Sequence, residues 1–233
     1  MRILLTNDDG IDAPGLAALE RATASMGEVF VVAPHEEQSG CSHRTTTERP
    51  LRLDDRGGNR FSLDGAPADC VRVALHKLGE FDLVVAGVNS GGNLGVDVYH
   101  SGTVAAVREA ALHGVRGAAF SHYRNRSLDD ADWGRASNWT ETLLAQFLRE
   151  DWPDGLFWNV NFPCLAESDG TPEMVRCELD HSPLPLEFRA EDGGYRYSGS
   201  YQSRRRAPGG DIDVCFGGRI AVSALRLAAA PGR

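Results

Sequence analysis

Two adjacent carboxylates, Asp8 and Asp9, follow directly on the short apolar run Arg2-Ile3-Leu4-Leu5 and the pair Thr6-Asn7. Side by side they repel each other unless a cation, a base or a proton relieves them. Hard divalent cations such as Mg²⁺ or Mn²⁺ prefer oxygen ligands of this kind. Adjacent residues of an extended chain point to opposite sides, so one ion can collect both only if the strand has already turned, and Gly10 permits that turn. The alternative is an acidic loop that caps the helix beginning at Pro14.

Three further segments carry residues suited to the same chemistry. The loop Pro34-His35-Glu36-Glu37-Gln38-Ser39-Gly40-Cys41-Ser42-His43 offers a hydroxyl at Ser39 and, in His43, a side chain that titrates near neutrality; an ordinary surface turn is the alternative. Gly87-Val88-Asn89-Ser90-Gly91-Gly92-Asn93-Leu94-Gly95 combines four glycines with two asparagines. Asparagine carbonyls ligate hard cations and asparagine amides donate to anions. Glycine also lets backbone N–H groups crowd a phosphate. In His100-Ser101-Gly102-Thr103-Val104 a loop becomes a helix, whose free N–H groups and dipole favour an anion, or which Ser101 simply caps.

A cation beside an anion cradle implies phosphate chemistry. Hydrolysis of a phosphate monoester can require ~10²¹-fold acceleration, about 29 kcal/mol at ~1.36 kcal/mol per decade. One hydrogen-bond donor contributes only ~3–4 kcal/mol, so a site without the metal falls well short.

The elements that must position these residues alternate. Strand-like runs at 2–6, 28–33, 82–88, 117–121 and 156–161 are separated by helical patterns at 14–26, 67–78, 102–113 and 133–150. Leu51-Arg52-Leu53 and Arg60-Phe61-Ser62-Leu63 read as a hairpin turning over Asp55–Asn59. Repeated strand–helix–strand units predict an α/β fold, a three-layer, doubly wound, mainly parallel sheet of Rossmann-like type. In such sheets ligands bind outside the carboxyl ends of the strands. We assign 1–162 to this core. Residues 163–233 form an irregular C-terminal extension, with a projecting hairpin around 193–201 and closing strands at Asp213-Val214-Cys215-Phe216 and Ile220–Leu225.

The 233 residues suit one large domain with an appendage, and a net charge of −9 argues against a binder of nucleic-acid polymers. Five scattered cysteines lack zinc or redox-motif spacing and read as thiols of a reducing compartment. No leader-like start and no membrane-spanning apolar run is present, so a cytoplasmic protein without membrane contact is expected.

Taken together, T-N-D-D-G-I-D-A-P-G at 6–15, V-V-A-P at 31–34, E-Q-S-G at 37–40, D-G-A-P-A-D-C at 64–70, G-V-N-S-G-G-N-L-G at 87–95 and H-S-G-T-V at 100–104 resemble the SurE family of stationary-phase survival proteins. N-V-N-F-P at 159–163 and G-G-D at 209–211 resemble weaker blocks of that family. The resemblance implies a metal-dependent 5′/3′-nucleotidase that releases phosphate from nucleoside monophosphates; because a cation and an anion cradle read phosphate and not base, the expectation extends to short polyphosphate. It implies one Mg²⁺ or Mn²⁺ per chain on Asp8, Asp9, Ser39 and Asn89. Asn93 and the turn Ser101-Gly102-Thr103 would bind phosphate, with Asp8, Asp9 and Asn93 in catalysis. Assembly as a homodimer or homotetramer is also implied. His35-Glu36 and Ala66 depart from the family's usual residues, but none of these is an expected ligand. The rival readings are a catalytically silent nucleotide- or phosphate-binding module, and acyl or thiol hydrolysis through Ser39 or Cys41 with His43. The second lacks a Gly-x-Ser-x-Gly turn and leaves Asp8 and Asp9 idle.

Overall fold

In the computed structural model, which describes residues 1–227, the apolar runs become parallel strands and the amphipathic runs become the helices between them. Residues 228–233 of the expected extension lie outside the described residues. The elements are β1 (Arg2–Thr6), α1 (Pro14–Thr23), β2 (Glu28–Pro34), β3 (Leu53–Gly57), β4 (Arg60–Leu63), α2 (Pro67–Leu78), β5 (Leu83–Ser90), α3 (Gly102–Leu112), β6 (Arg116–His122), α4 (Asp130–Phe147) and β7 (Leu156–Phe162). β8 (Met174–Arg176), β9 (Phe188–Glu191), β10 (Gly194–Tyr197), α5 (Asp211–Phe216) and β11 (Ile220–Arg226) follow, and a short 3₁₀ turn, Gly95–Tyr99, links β5 to α3.

A nine-stranded sheet runs β3-β4-β2-β1-β5-β6-β7-β11-β8. It is parallel from β4 through β7, while β3 on β4 and β11 on β7 are antiparallel. Alternation along β1 divides the core into two. Ile3 and Leu5 pack with Leu16 and Leu19 of α1 and with Trp139, Leu144 and Phe147 of α4. Leu4, between them, packs with Val71 and Ala74 of α2 and Val104, Val107 and Ala110 of α3 on the other face. This is the three-layer, doubly wound arrangement expected. Each fully buried Leu or Ile at these positions stabilises by ~1.5–3 kcal/mol relative to exposure.

From β1 the chain winds outward to β2 and β4, then crosses back to β5 on the opposite side of β1. Strand order therefore reverses between β1 and β5, and a crevice opens at their carboxyl ends, where ligands bind in such sheets. The register sets what reaches that crevice. Thr6 pairs with Ala86, so β5 continues past the end of β1. Its pairing with β6 slips between Ala86 and Asn89, which carries Asn89 and Ser90 alongside the Asp8-Asp9 turn.

Two readings change. Asp213-Val214-Cys215-Phe216, expected as a closing strand, lies in α5. Four apolar-leaning residues cannot fix a period. Asp211 and Asp213 occupy the first turn, where carboxylates favour a helix. The hairpin turn expected over Asp55–Asn59 is tighter: β3 runs to Gly57 and the chain reverses at Gly58-Asn59, both at positive φ, as two-residue hairpin turns require. The other expected closing strand forms as β11 in the main sheet. The projecting hairpin is the separate pair β9–β10. No helix among the described residues is long and apolar enough to cross a membrane.

Candidate active site at the β1–β5 crevice

The chain bends immediately after β1, as a shared ligand site for two successive carboxylates requires. Asn7 brackets the bend, donating from Nδ2 to the Gly10 carbonyl (2.8 Å) and accepting the Gly10 N–H at Oδ1 (3.2 Å). Gly10 closes it at φ +104°, a value that L side chains rarely adopt. Asp9 Oδ2 accepts the Ser90 N–H at 3.0 Å, fastening the turn to the end of β5. The Gln38 N–H donates to the Asp8 carbonyl at 2.7 Å and brings the Ser39 loop in from β2.

Asp8 is buried, and its Oδ1 accepts the hydroxyl of Thr103 from the first turn of α3 at 2.5 Å. Burial raises its pKa to about 6; hydrogen bonding from Thr103 opposes the rise and the charge of Asp9 adds to it. Asp9 is also raised, chiefly by burial and further by Glu37, with the Ser90 N–H and Arg124 acting against it. None of the ion pairs among the described residues involves Asp8. A carboxylate so placed holds a proton or waits for a cation.

A cavity of about 180 Å³ opens beside this pair, lined by Asp8, Ser39, Asn89, Asn93, Asp97 and Ser101 among others. Asn89 donates from Nδ2 to the Gly91 carbonyl at 2.8 Å, leaving its oxygen as the end available to a cation. The exposed Ser39 hydroxyl donates to Glu37 at 2.6 Å. Among the described residues no three His, Cys, Asp or Glu side chains converge as a metal site. An ion here would therefore depend on the Ser39 hydroxyl and the Asn89 amide to complete a set of two carboxylates. Such an all-oxygen set suits Mg²⁺ or Mn²⁺ and would be poor for a thiophilic ion.

The start of α3 faces the same place. Gly102 packs so closely that a Cβ there would sit 2.8 Å from Cys41 Sγ and 3.0 Å from Asp8 Cβ, which keeps side chains off the helix end. Ser101 Oγ caps the helix, accepting the Val104 N–H at 3.0 Å, and the residue lies on the cavity wall. Thr103 is wholly buried with its hydroxyl on Asp8, so its contact is with the carboxylate rather than with the open cavity.

Asn93 lines the cavity with its side-chain amide nitrogen and both backbone polar groups engaged. Its Nδ2 donates to Ser121 Oγ (2.7 Å) and its N–H to Asn161 Oδ1 (2.7 Å). Its carbonyl accepts from Asn159 Nδ2 (2.9 Å) and Asn161 Nδ2 (3.1 Å). These β7 partners were legible as polar residues within an otherwise apolar strand, Leu156-Phe157-Trp158-Asn159-Val160-Asn161, but that signal does not name their target.

His43 does not line the cavity. Its Nε2 lies 2.7 Å from Glu109 Oε2 and its Nδ1 3.4 Å from Arg108 Nη1, so both ring nitrogens are engaged on α3. The His43 bond holds the Glu109 carboxyl below the usual range, with His113 adding to it. Burial, with Asp8 nearby, pushes the Cys41 thiol up. Neither arrangement serves a thiol or serine nucleophile. Of the late tyrosines, Tyr195 and Tyr197 are exposed on the hairpin. Tyr201 reaches the crevice, its hydroxyl 2.8 Å from Asp97 Oδ2.

The profile of the family described as Survival protein SurE matches residues 3–181. A protein of Nostoc sp. is 48% identical over 229 residues, covering 97% of this chain and 100% of its own. The protein named 5′-nucleotidase SurE from Allorhizobium ampelinum is 42% identical over 236 residues, covering 97% and 92%. The crystal structure of the SurE protein from Aquifex aeolicus superposes with a TM-score of 0.85 at 28% identity, covering 99% of this chain and 95% of that one.

Proposed function

The chain belongs to the SurE family, and from that premise we propose that it is a divalent-cation-dependent phosphatase releasing inorganic phosphate from nucleoside 5′- and 3′-monophosphates. Short polyphosphate is included, because a cation and an anion cradle read phosphate and not base. The observation that carries the reading is the convergence of Asp8, Ser39, Asn89 and Ser101 on one cavity at the topological switch point, with Asp9 tied to its rim by Ser90.

Asp8, Asp9, Ser39 and Asn89 would hold Mg²⁺ or Mn²⁺. Buried Asp8 and half-buried Asp9, mutually repelling, fit such an ion. When bound, the ion supplies Lewis-acid polarisation of the phosphoryl oxygens. The remaining work falls to the chain. The Gly102 end of α3 presents N–H groups and a positive dipole end to the phosphate. Asn93, fixed by Ser121, Asn159 and Asn161, holds the glycine-rich wall in place. An Asp8 or Asp9 carboxylate oxygen accepts a proton from the attacking water. We also infer assembly into a homodimer or homotetramer, with exposed Leu186, Phe188, Tyr195 and Tyr197 around the hairpin as the apolar surface available for it.

Phosphate release is measured from 5′- and 3′-monophosphates, polyphosphate and an aryl phosphate, metal-free and with Mg²⁺, Mn²⁺ or Zn²⁺. Metal-dependent release favouring nucleotides is the expected result. No release with any ion from folded protein overturns the proposal and leaves a silent binding module.

A further inference from the structure

We propose that Tyr201 and Arg204 are positioning residues of the anion seat, acting through Asp97; the inference rests on the phosphatase reading above. Asp97 sits in the 3₁₀ turn ahead of α3, and its carbonyl accepts the N–H groups of His100 (2.9 Å) and Ser101 (3.0 Å). It therefore sets where the first turn of α3 begins. Asp97 is also among the residues lining the cavity. Left alone, a carboxylate there would repel the phosphate that the neighbouring helix end attracts.

The C-terminal segment removes that conflict. Asp97 Oδ2 accepts the Tyr201 hydroxyl at 2.8 Å and Arg204 Nη1 at 2.6 Å. The Arg204 side chain is fully buried, and among the described residues Asp97 is its one ion-pair partner. Its Nε and Nη2 have no hydrogen-bond partner among those residues, so Asp97 is the carboxylate it bonds, with the charge of Asp180 also nearby. The guanidinium lies 5.0 Å over the Tyr201 ring, which stacks in turn on Tyr123 at 6.4 Å. Tyr201 Oη also lies 3.5 Å from the Gly92 carbonyl. Residues 198–207 contain no helix or strand, so side-chain contacts of this kind fasten the segment to the glycine-rich wall. A buried ion pair broken by loss of one partner leaves an uncompensated charge, so the clamp holds Asp97 in one place and neutralises it there.

The test uses the whole chain loaded with Mn²⁺. For wild type, Tyr201→Phe, Arg204→Lys and Arg204→Met, kcat and KM are measured on a nucleoside monophosphate. Inorganic phosphate affinity is measured by calorimetry, and Mn²⁺ affinity and Tm are recorded alongside. Tyr201→Phe, which keeps the ring, should weaken phosphate about fivefold and raise KM more than it lowers kcat. Arg204→Met should weaken phosphate at least about thirtyfold, and Arg204→Lys should recover part of that loss. Mn²⁺ affinity should hold, because none of its expected ligands lies on this segment. A fall in Tm with KM and phosphate affinity unchanged would overturn the proposal and leave a structural anchor. If Arg204→Met does not fold, Tyr201→Phe decides alone. Wild type that binds phosphate without turnover would sink the phosphatase reading while calorimetry still judges the clamp. Wild type that binds no phosphate would sink both.

Discussion

Thr103, in the first turn of α3, donates its hydroxyl to Asp8 Oδ1 at 2.5 Å, so the helix end that would bind phosphate is bonded to a carboxylate that would bind the metal. Thr103→Val removes that donor without changing the side chain's shape and should push Asp8 above its value of about 6. A hydrogen bond to a charged group contributes ~1.5–3 kcal/mol, so Mn²⁺ affinity at pH 7 should fall by roughly 10- to 100-fold. Thr103→Ser should restore most of it. Metal titration of the three proteins is the check; equal affinities would rule out the coupling.

The raised pKa of Asp8 gives metal-free protein a definite pH dependence. Its folded value, about 6, lies above the ordinary 3.8. Its favourable contribution is therefore full below the unfolded pKa and is lost as pH rises through about 6. Asp8→Asn keeps an oxygen for Thr103 and removes the charge. At pH 7.5 without metal it should be more stable than wild type by about 2–3 kcal/mol at ~1.36 kcal/mol per unit, and less stable once Mn²⁺ saturates the wild type. Activity should be lost. Denaturant melts at pH 5 and 7.5, with and without Mn²⁺, test the crossover.

His43 provides the opposite case. Because both ring nitrogens engage α3, His43→Gln should leave kcat within a few-fold and should not move the pH–rate profile. Its cost should be a lower Tm, from a buried Glu109 short of one partner. A loss of about 10²-fold or more in kcat would instead make His43 an acid–base group.

Asp132 tests stability away from the crevice. Fully buried, it accepts from Arg126 (2.6 Å) and Arg135 (2.5 Å) and closes the capping box of α4 with Asp129. Burial alone would raise its pKa, but the Arg126 bond and the Asp129 N–H outweigh burial and hold it at about 2. Asp132→Ala should cost ~3–5 kcal/mol and leave KM unchanged. The contribution of Asp132 is present above the unfolded pKa and is lost as pH falls toward 2, so the variant should also show a weaker pH dependence of Tm in acid.

What was legible in the sequence follows from what is local. An apolar run stopping at Asp8-Asp9, and glycines crowded around Asn89 and Asn93, disclose the crevice because strand ends and the residues lining it are neighbours in sequence. The three layers were legible for the same reason, since each helix carries its own apolar stripe. The clamp on Asp97 was not, because Arg204 lies 107 positions away and reads on its own as one arginine of a surface triplet. Thr103 was legible as a residue of the site, yet its partner Asp8 belongs to a different strand end. The α5 segment failed for want of length: the cue was Asp211, whose Oδ2 accepts the Gly95 N–H at 2.6 Å and whose meaning needs the folded loop.

The strand made last among those described, β11, is not an edge strand: it lies between β7 and β8, and β8 has no other sheet neighbour. Asp211, Tyr201 and Arg204, which grip the wall of the crevice, are likewise made late. On a ribosome, the carboxylate turn and the first turn of α3 would emerge long before the groups that steady them. The nascent chain therefore carries the carboxylate turn well before the residues of the C-terminal segment that brace the crevice, and before β11, which pairs with β7 at Ser223–Asn159 and Ala221–Asn161. A chain ending short of Ile220 would leave β7 without its outer neighbour and β8 without any, so the far edge of the sheet depends on the strand made after it.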